Sequence, residues 1–176
     1  VKIGVNEIVP IIIDPDVSNA DLTRTVQLMN TYRAIHSELH FDEENESQFF
    51  RKELTQVLGN YTLRINDTDD KTFQQFIDLP SMDKVNKAMM KISSMDIGFK
   101  GNPNIGSVVL NQIVRSEDFE DFANSFEADD KIFIISSIFG GTGASGFPLL
   151  LKTLRTGDSF SNHDLINNAE IGAITI

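Results

Sequence analysis

Seven residues in the last third of the chain, Gly140-Gly141-Thr142-Gly143-Ala144-Ser145-Gly146, hold its clearest chemical possibility. They follow a largely apolar run at 131–138 and precede an apolar stripe of helical spacing, Phe147, Leu150, Leu151 and Leu154. The pattern predicts a strand, a glycine turn over 139–146 and a helix over 147–155. Glycines there let the backbone approach a ligand closely. Their amides can converge into a concave nest for an anion, and the helix start adds a positive dipole end. Pro148 suits a first helical turn, where a missing N–H costs nothing. Thr142 and Ser145 add hydroxyl donors, and the turn contains no charged residue. The chemistry implied is phosphate held by main-chain donors, with magnesium supplying the missing positive charge.

Two other readings of the same residues stand beside this one. A glycine-rich turn can simply make a tight bend. Gly141-x-Gly143-x-x-Gly146 also satisfies the dinucleotide fingerprint, which points to an NAD(P)-binding domain of an oxidoreductase. That fingerprint asks for an acidic residue ending the next strand, and none stands at the end of 170–176. The Lys of a Walker-type loop is missing as well.

A second glycine-punctuated loop, 98–106, opens directly into an apolar helical stripe at Ile105, Val108, Val109, Gln112 and Ile113. Asn102 can cap that helix and Pro103 can begin it. Alone this is an ordinary helix start. Facing the same ligand edge as the first turn, it would hold a polyphosphate from two sides.

The elements that must position these loops are readable from periodicity. Val9-Pro10-Ile11-Ile12-Ile13 reads as a buried strand. Leu22, Val26, Met29, Tyr32, Ile35 and Leu39 mark a helix from Ser18 or Asn19 to about His40. Phe49, Phe50, Leu54, Val57 and Leu58 suggest a short helix, 61–65 a strand, and 73–92 two further short helices. Phe119, Phe122 and Phe126 form the inner face of an acidic helix, and 170–176 closes as a strand. Strands separated by helices imply a parallel sheet covered on both faces.

Composition narrows the function classes. The chain has 176 residues with 40% apolar content, enough for one sizeable core. Fifteen basic against 26 acidic residues give a net charge of −11, against a nucleic-acid partner and against an anionic membrane surface. Without cysteine there is no disulfide, thiolate metal site or cysteine nucleophile. No apolar run approaches a membrane span, and a cytoplasmic location is expected. His36 and His40 stand four apart, but no third ligand is evident and a solvated pair is expected. His163 sits in a polar stretch read as a loop.

Taken together, three segments resemble the GTP-binding domain of the tubulin/FtsZ family. The run 133–148, centred on Phe139-Gly140-Gly141-Thr142-Gly143-Ala144-Ser145-Gly146, is similar to the family's strand and GGGTG[ST]G signature. Gly101-Asn102-Pro103-Asn104-Ile105-Gly106 resembles the loop that contacts the terminal phosphate. Val9 to Asp16 resembles the second strand and its acidic loop, and the three occur in the family's order. Phe139 stands where the first signature glycine belongs, and Ser145 holds the last glycine position with Gly146 one residue later. Those departures suggest a further alternative, a degenerate tubulin-like fold kept as a protein-interaction module.

The resemblance implies that Gly140, Gly141, Thr142 and Gly143 hold the α- and β-phosphates of GTP, within a loop completed by Ala144, Ser145 and Gly146. It implies that Gly101, Asn102 and Pro103 lie by the γ-phosphate, and Asp16, or Asp14, near the metal or nucleotide. The implied cofactors are GTP and Mg2+. The implied fold is α/β, a three-layer Rossmann-like and mostly parallel sheet with helices on both faces. The chain would be a single partial domain over 1–176 with an insertion around 41–95. The family's first strand would precede Val1, and its base-binding helix and hydrolytic acidic loop would follow Ile176. No catalytic residue is therefore expected here, and GTPase activity would belong to the full-length protein. That protein would associate head to tail into filaments.

Overall fold

The computed structural model describes residues 5, 7–15, 20–40, 49–56, 58–60 and 103–176. Asp16, Gly101, Asn102, the acidic stretch at 42–46 and the strand and helices expected over 61–92 lie outside the described residues.

The fold is mixed α/β with parallel strand pairs. Strands β1 (Glu7–Ile8) and β2 (Ile11–Ile12) stand where one buried strand was expected. Pro10 sits between them, and without an N–H it cannot serve a continuous ladder. Each pairs in parallel with its own partner: β1 with β3 (Glu53–Leu54), and β2 with β4 (Leu58–Asn60). Helix α1 (Ala20–Glu38) matches the predicted periodicity, with Asp21 in its first turn and Leu22 buried.

The helix expected around Phe49–Leu58 is replaced by a turn leading into β3. Side chains of α1 take the main-chain carbonyls that such a helix would use internally. The Tyr32 hydroxyl donates to the carbonyls of Phe49 and Lys52, both at 2.9 Å. His36 Nδ1 lies 2.6 Å from the Phe50 carbonyl oxygen.

From residue 103 onward the chain builds a larger unit. Helix α2 (Pro103–Leu110) is followed by a 3-10 turn (Ile113–Arg115) and helix α3 (Glu117–Ser125). The Ser116 side chain caps α3 by accepting from the Phe119 amide at 3.2 Å. Three carboxylates, Glu117, Asp118 and Glu120, occupy its first turn, where the helix dipole favours them. Its apolar face behaves as predicted: Phe119 and Phe126 are buried, and Phe119 meets Phe160 edge-on at 5.2 Å.

Strand β5 (Lys131–Ser136), helix α4 (Gly141–Thr156), helix α5 (His163–Asn168) and strand β6 (Glu170–Thr175) form a parallel β–α–β unit. The ladder pairs Lys131 with Glu170 through Ser136 with Thr175, and Ile138 and Ile176 extend it. Ile134, Leu154, Ile166, Val109 and Leu110 share one core with the α3 phenylalanines, and Ile13 packs against it.

One expectation changes here. His163 begins α5 rather than lying in a loop. Asn162 makes this possible by taking a left-handed backbone (φ 52°) while its amide donates to the Ala123 carbonyl at 3.0 Å. The carbonyls of Asn124 and Phe126 lie within its reach at 3.4 Å, so one side chain closes the end of α3. Ile132 and Ile134 point into the core, whereas Phe133 and Ile135 on the opposite face are 66% and 70% exposed. Among the described residues, then, helices cover one face of β5. No helix among the described residues is long and apolar enough to cross a membrane.

Candidate functional site

The glycine turn proves shorter than its sequence suggests. Helix α4 begins at Gly141, so Thr142 to Gly146 are helical and Gly140 is the N-cap. Glycine has a weak helix propensity, and local contacts supply what propensity lacks. The Ala144 amide donates to the Gly140 carbonyl at 3.2 Å, closing the first helical bond. The Ser145 hydroxyl donates to the carbonyls of Gly141 (2.5 Å) and Thr142 (3.2 Å). Ser145 is only 2% exposed, so that hydroxyl is spent inside the helix. Pro148, expected in the first turn, stands inside the helix instead, where it removes the bond to the Ala144 carbonyl.

Gly143 is needed for close approach rather than for a bend. A Cβ on it would lie 2.0 Å from the Ser137 carbonyl oxygen and 2.8 Å from Ser136 Oγ. The Ser136 hydroxyl also donates to the Gly143 carbonyl at 3.2 Å. The first turn of α4 is therefore pressed onto the carboxyl end of β5. The amides of Gly141, Thr142 and Gly143, as first-turn groups, have no acceptor within their own helix. Among the described residues, nothing lies within 4 Å of where a Cβ on the neighbouring Gly140 would stand. Phe139 beside it is 86% exposed.

Helix α2 brings the second loop to the same place. Pro103 is its first residue. A Cβ on Gly106 would lie 2.1 Å from Ser145 Oγ and 2.9 Å from the Gly141 carbonyl oxygen. One turn later, Leu110 Cδ1 lies 3.0 Å from the position a Cβ would take on Gly146. Gly106 thus sits beside Gly141 and Ser145, and Leu110 beside Gly146, in the same direction along both helices. The amino ends of α2 and α4 therefore lie side by side at the carboxyl end of β5, the edge where open parallel sheets bind ligands.

Of the residues singled out from sequence, Gly140 to Gly146 and Pro103 are brought together in this way. Asp14 stands between Ile13, which packs against the main core, and Pro15, which is buried. Asp16, Gly101 and Asn102 lie outside the described residues. Sequence reasoning missed Ser136 and Ser137 as the seat of Gly143, and Gly106 as the partner of Ser145. The only available signal was their small size.

Among the described residues, the titratable groups assemble nothing comparable. His36 is engaged with the Phe50 carbonyl, and His163 Nδ1 lies 3.5 Å from the adjacent Asp164 carboxylate. Among the described residues no three His, Asp or Glu side chains converge as a metal site. Compared with family models, curated proteins and solved structures, the chain finds no match.

Proposed function

We propose that this chain is the nucleotide-binding part of a tubulin/FtsZ-like, filament-forming bacterial protein that takes GTP with Mg2+. One observation carries the proposal: two helices begin side by side at one strand's carboxyl end, joined at Gly106, Gly141 and Ser145. Two helix starts give two positive dipole ends, and the first-turn amides of α4 have no acceptor within their own helix. In a chain of net charge −11, such backbone donors are the fitting partner for phosphate.

Gly141, Thr142 and Gly143 would hold the α- and β-phosphates through their amides, beside Gly140, which no described residue crowds. Gly101, Asn102 and Pro103 would stand by the γ-phosphate. Mg2+, a hard cation that commonly stays on phosphate oxygens and water, would neutralise charge there, with Asp14 and Asp16 as the nearby carboxylates. The complete fold would be a three-layer, Rossmann-like sheet with helices on both faces, of which β5–α4–β6 is one unit. Head-to-tail contacts between copies do not close and so yield filaments. Hydrolysis would require the neighbouring subunit, and its location would be the cytoplasm.

The dinucleotide reading fits the glycines less well. That fingerprint uses its second glycine for ligand approach and its third for contact with its own strand. Here Gly143, the second, meets the strand, and Gly146, the third, meets Leu110 of another helix.

Titration of the full-length protein with fluorescent GTP, in competition with unlabelled GTP and NAD, tests the proposal. Saturable binding displaced by GTP but not NAD, and weakened by chelating Mg2+, is the expected result. Displacement by NAD would favour the oxidoreductase, and no binding of either would favour the interaction module.

A further inference from the structure

We propose that Gly106 and Ser145 are positioning residues, a steric joint that sets the separation between the amino ends of α2 and α4. The contact stands on geometry alone; its effect on ligand affinity rests on the nucleotide reading above.

Helix α4 is held from behind. Gly143 already touches the end of β5 so closely that a methyl there would meet the Ser137 carbonyl at 2.0 Å. It therefore cannot retreat toward the sheet. In front, Gly106 of α2 lies so near that a Cβ would stand 2.9 Å from both the Gly141 carbonyl oxygen and Ser145 Cβ. The Ser145 hydroxyl would be closer still at 2.1 Å, and it is anchored by two carbonyls in a residue that is 2% exposed. None of these atoms is the free end of a flexible side chain. A methyl at position 106 must be relieved by moving α2 outward, by roughly 1 Å. Both sets of amides could then no longer meet one polyphosphate with good hydrogen-bond geometry.

The sign of the effect separates this joint from an ordinary helical glycine. Without it, Gly106→Ala would stabilise the protein, because alanine is the better helix former. With it, the same substitution destabilises. Moving the methyl across the contact, as Gly106→Ala with Ser145→Gly, removes the Oγ at 2.1 Å and the Cβ at 2.9 Å and leaves the approach to the Gly141 carbonyl oxygen at 2.9 Å.

The test uses the full-length protein and four forms: wild type, G106A, S145G and the double variant. Thermal unfolding and fluorescent GTP titration are read on each. G106A is expected to lower Tm and weaken GTP about ten- to a hundredfold, the loss of one charge-assisted hydrogen bond. The double variant is expected to fold and to recover most of the Tm and GTP affinity that G106A loses relative to wild type, short of S145G alone because the Gly141 carbonyl contact remains. A raised Tm in G106A, or additive effects in the double variant, would overturn the joint. A lowered Tm with unchanged GTP affinity would overturn its positioning role. If G106A does not fold, recovery in the double variant supports the joint and failure there overturns it. No GTP binding by wild type would defeat the nucleotide reading, leaving the joint to be decided by the Tm cycle.

Discussion

The two halves of the described chain are held together by different means. From residue 103 onward, a six-residue parallel ladder and four helices enclose a common apolar core in which Ala123 and Ile166 are wholly buried. Before residue 61, the strand pairs are two or three residues long, and α1 buries Leu22 alone. There, Tyr32 and His36 reach across to main-chain carbonyls instead. Apolar burial fixes many groups at once, whereas each hydrogen bond nets only about 1 kcal/mol. The close contact of α2 with α4 at Gly106 and Ser145 rests on the first kind of support.

This contrast is open to direct measurement. Ile166→Ala empties a wholly buried position and should cost about 2–5 kcal/mol in denaturant unfolding. Asn162→Ala should cost about 2 kcal/mol, roughly half from the left-handed backbone and half from the lost amide bonds. Asn162→Gly, which keeps the backbone, should recover part of that. Tyr32→Phe should cost about 1 kcal/mol, with faster amide exchange confined to residues near 49–55. A cost equal to that of Ile166→Ala would break the contrast. Lys131→Met should change stability by less than about 1 kcal/mol, since the Lys131–Glu170 pair at 2.5 Å lies at the surface.

Much of the carboxyl-terminal unit was legible in the sequence. The Phe119/Phe126 face carries a pattern that its burial explains, and β5 and the closing strand stand where their apolar residues placed them. Where tertiary contacts override local preference, the pattern misleads. Glycines 141, 143 and 146 look like a loop, yet the seat on Ser137 and the Ser145 hydroxyl make them helical. Phe49 and Phe50 look helical, yet α1 claims their carbonyls. At the candidate site, the amide-rich turn and Pro103 were visible because glycine and proline advertise their backbone roles. The meeting of Gly106 with Ser145 was not, because nothing in either residue type names a distant partner.

Asn162 reaches back 39 residues to Ala123, across all of β5 and α4. Closing so long a span brings an entropic penalty before any contact rewards it. The junction between α3 and α5 should therefore assemble after the rate-limiting step, as a clasp fastened once the intervening strand and helix have docked. Replacing Asn162 should quicken unfolding far more than it slows refolding, so this residue governs how long the folded form survives rather than how fast it is reached.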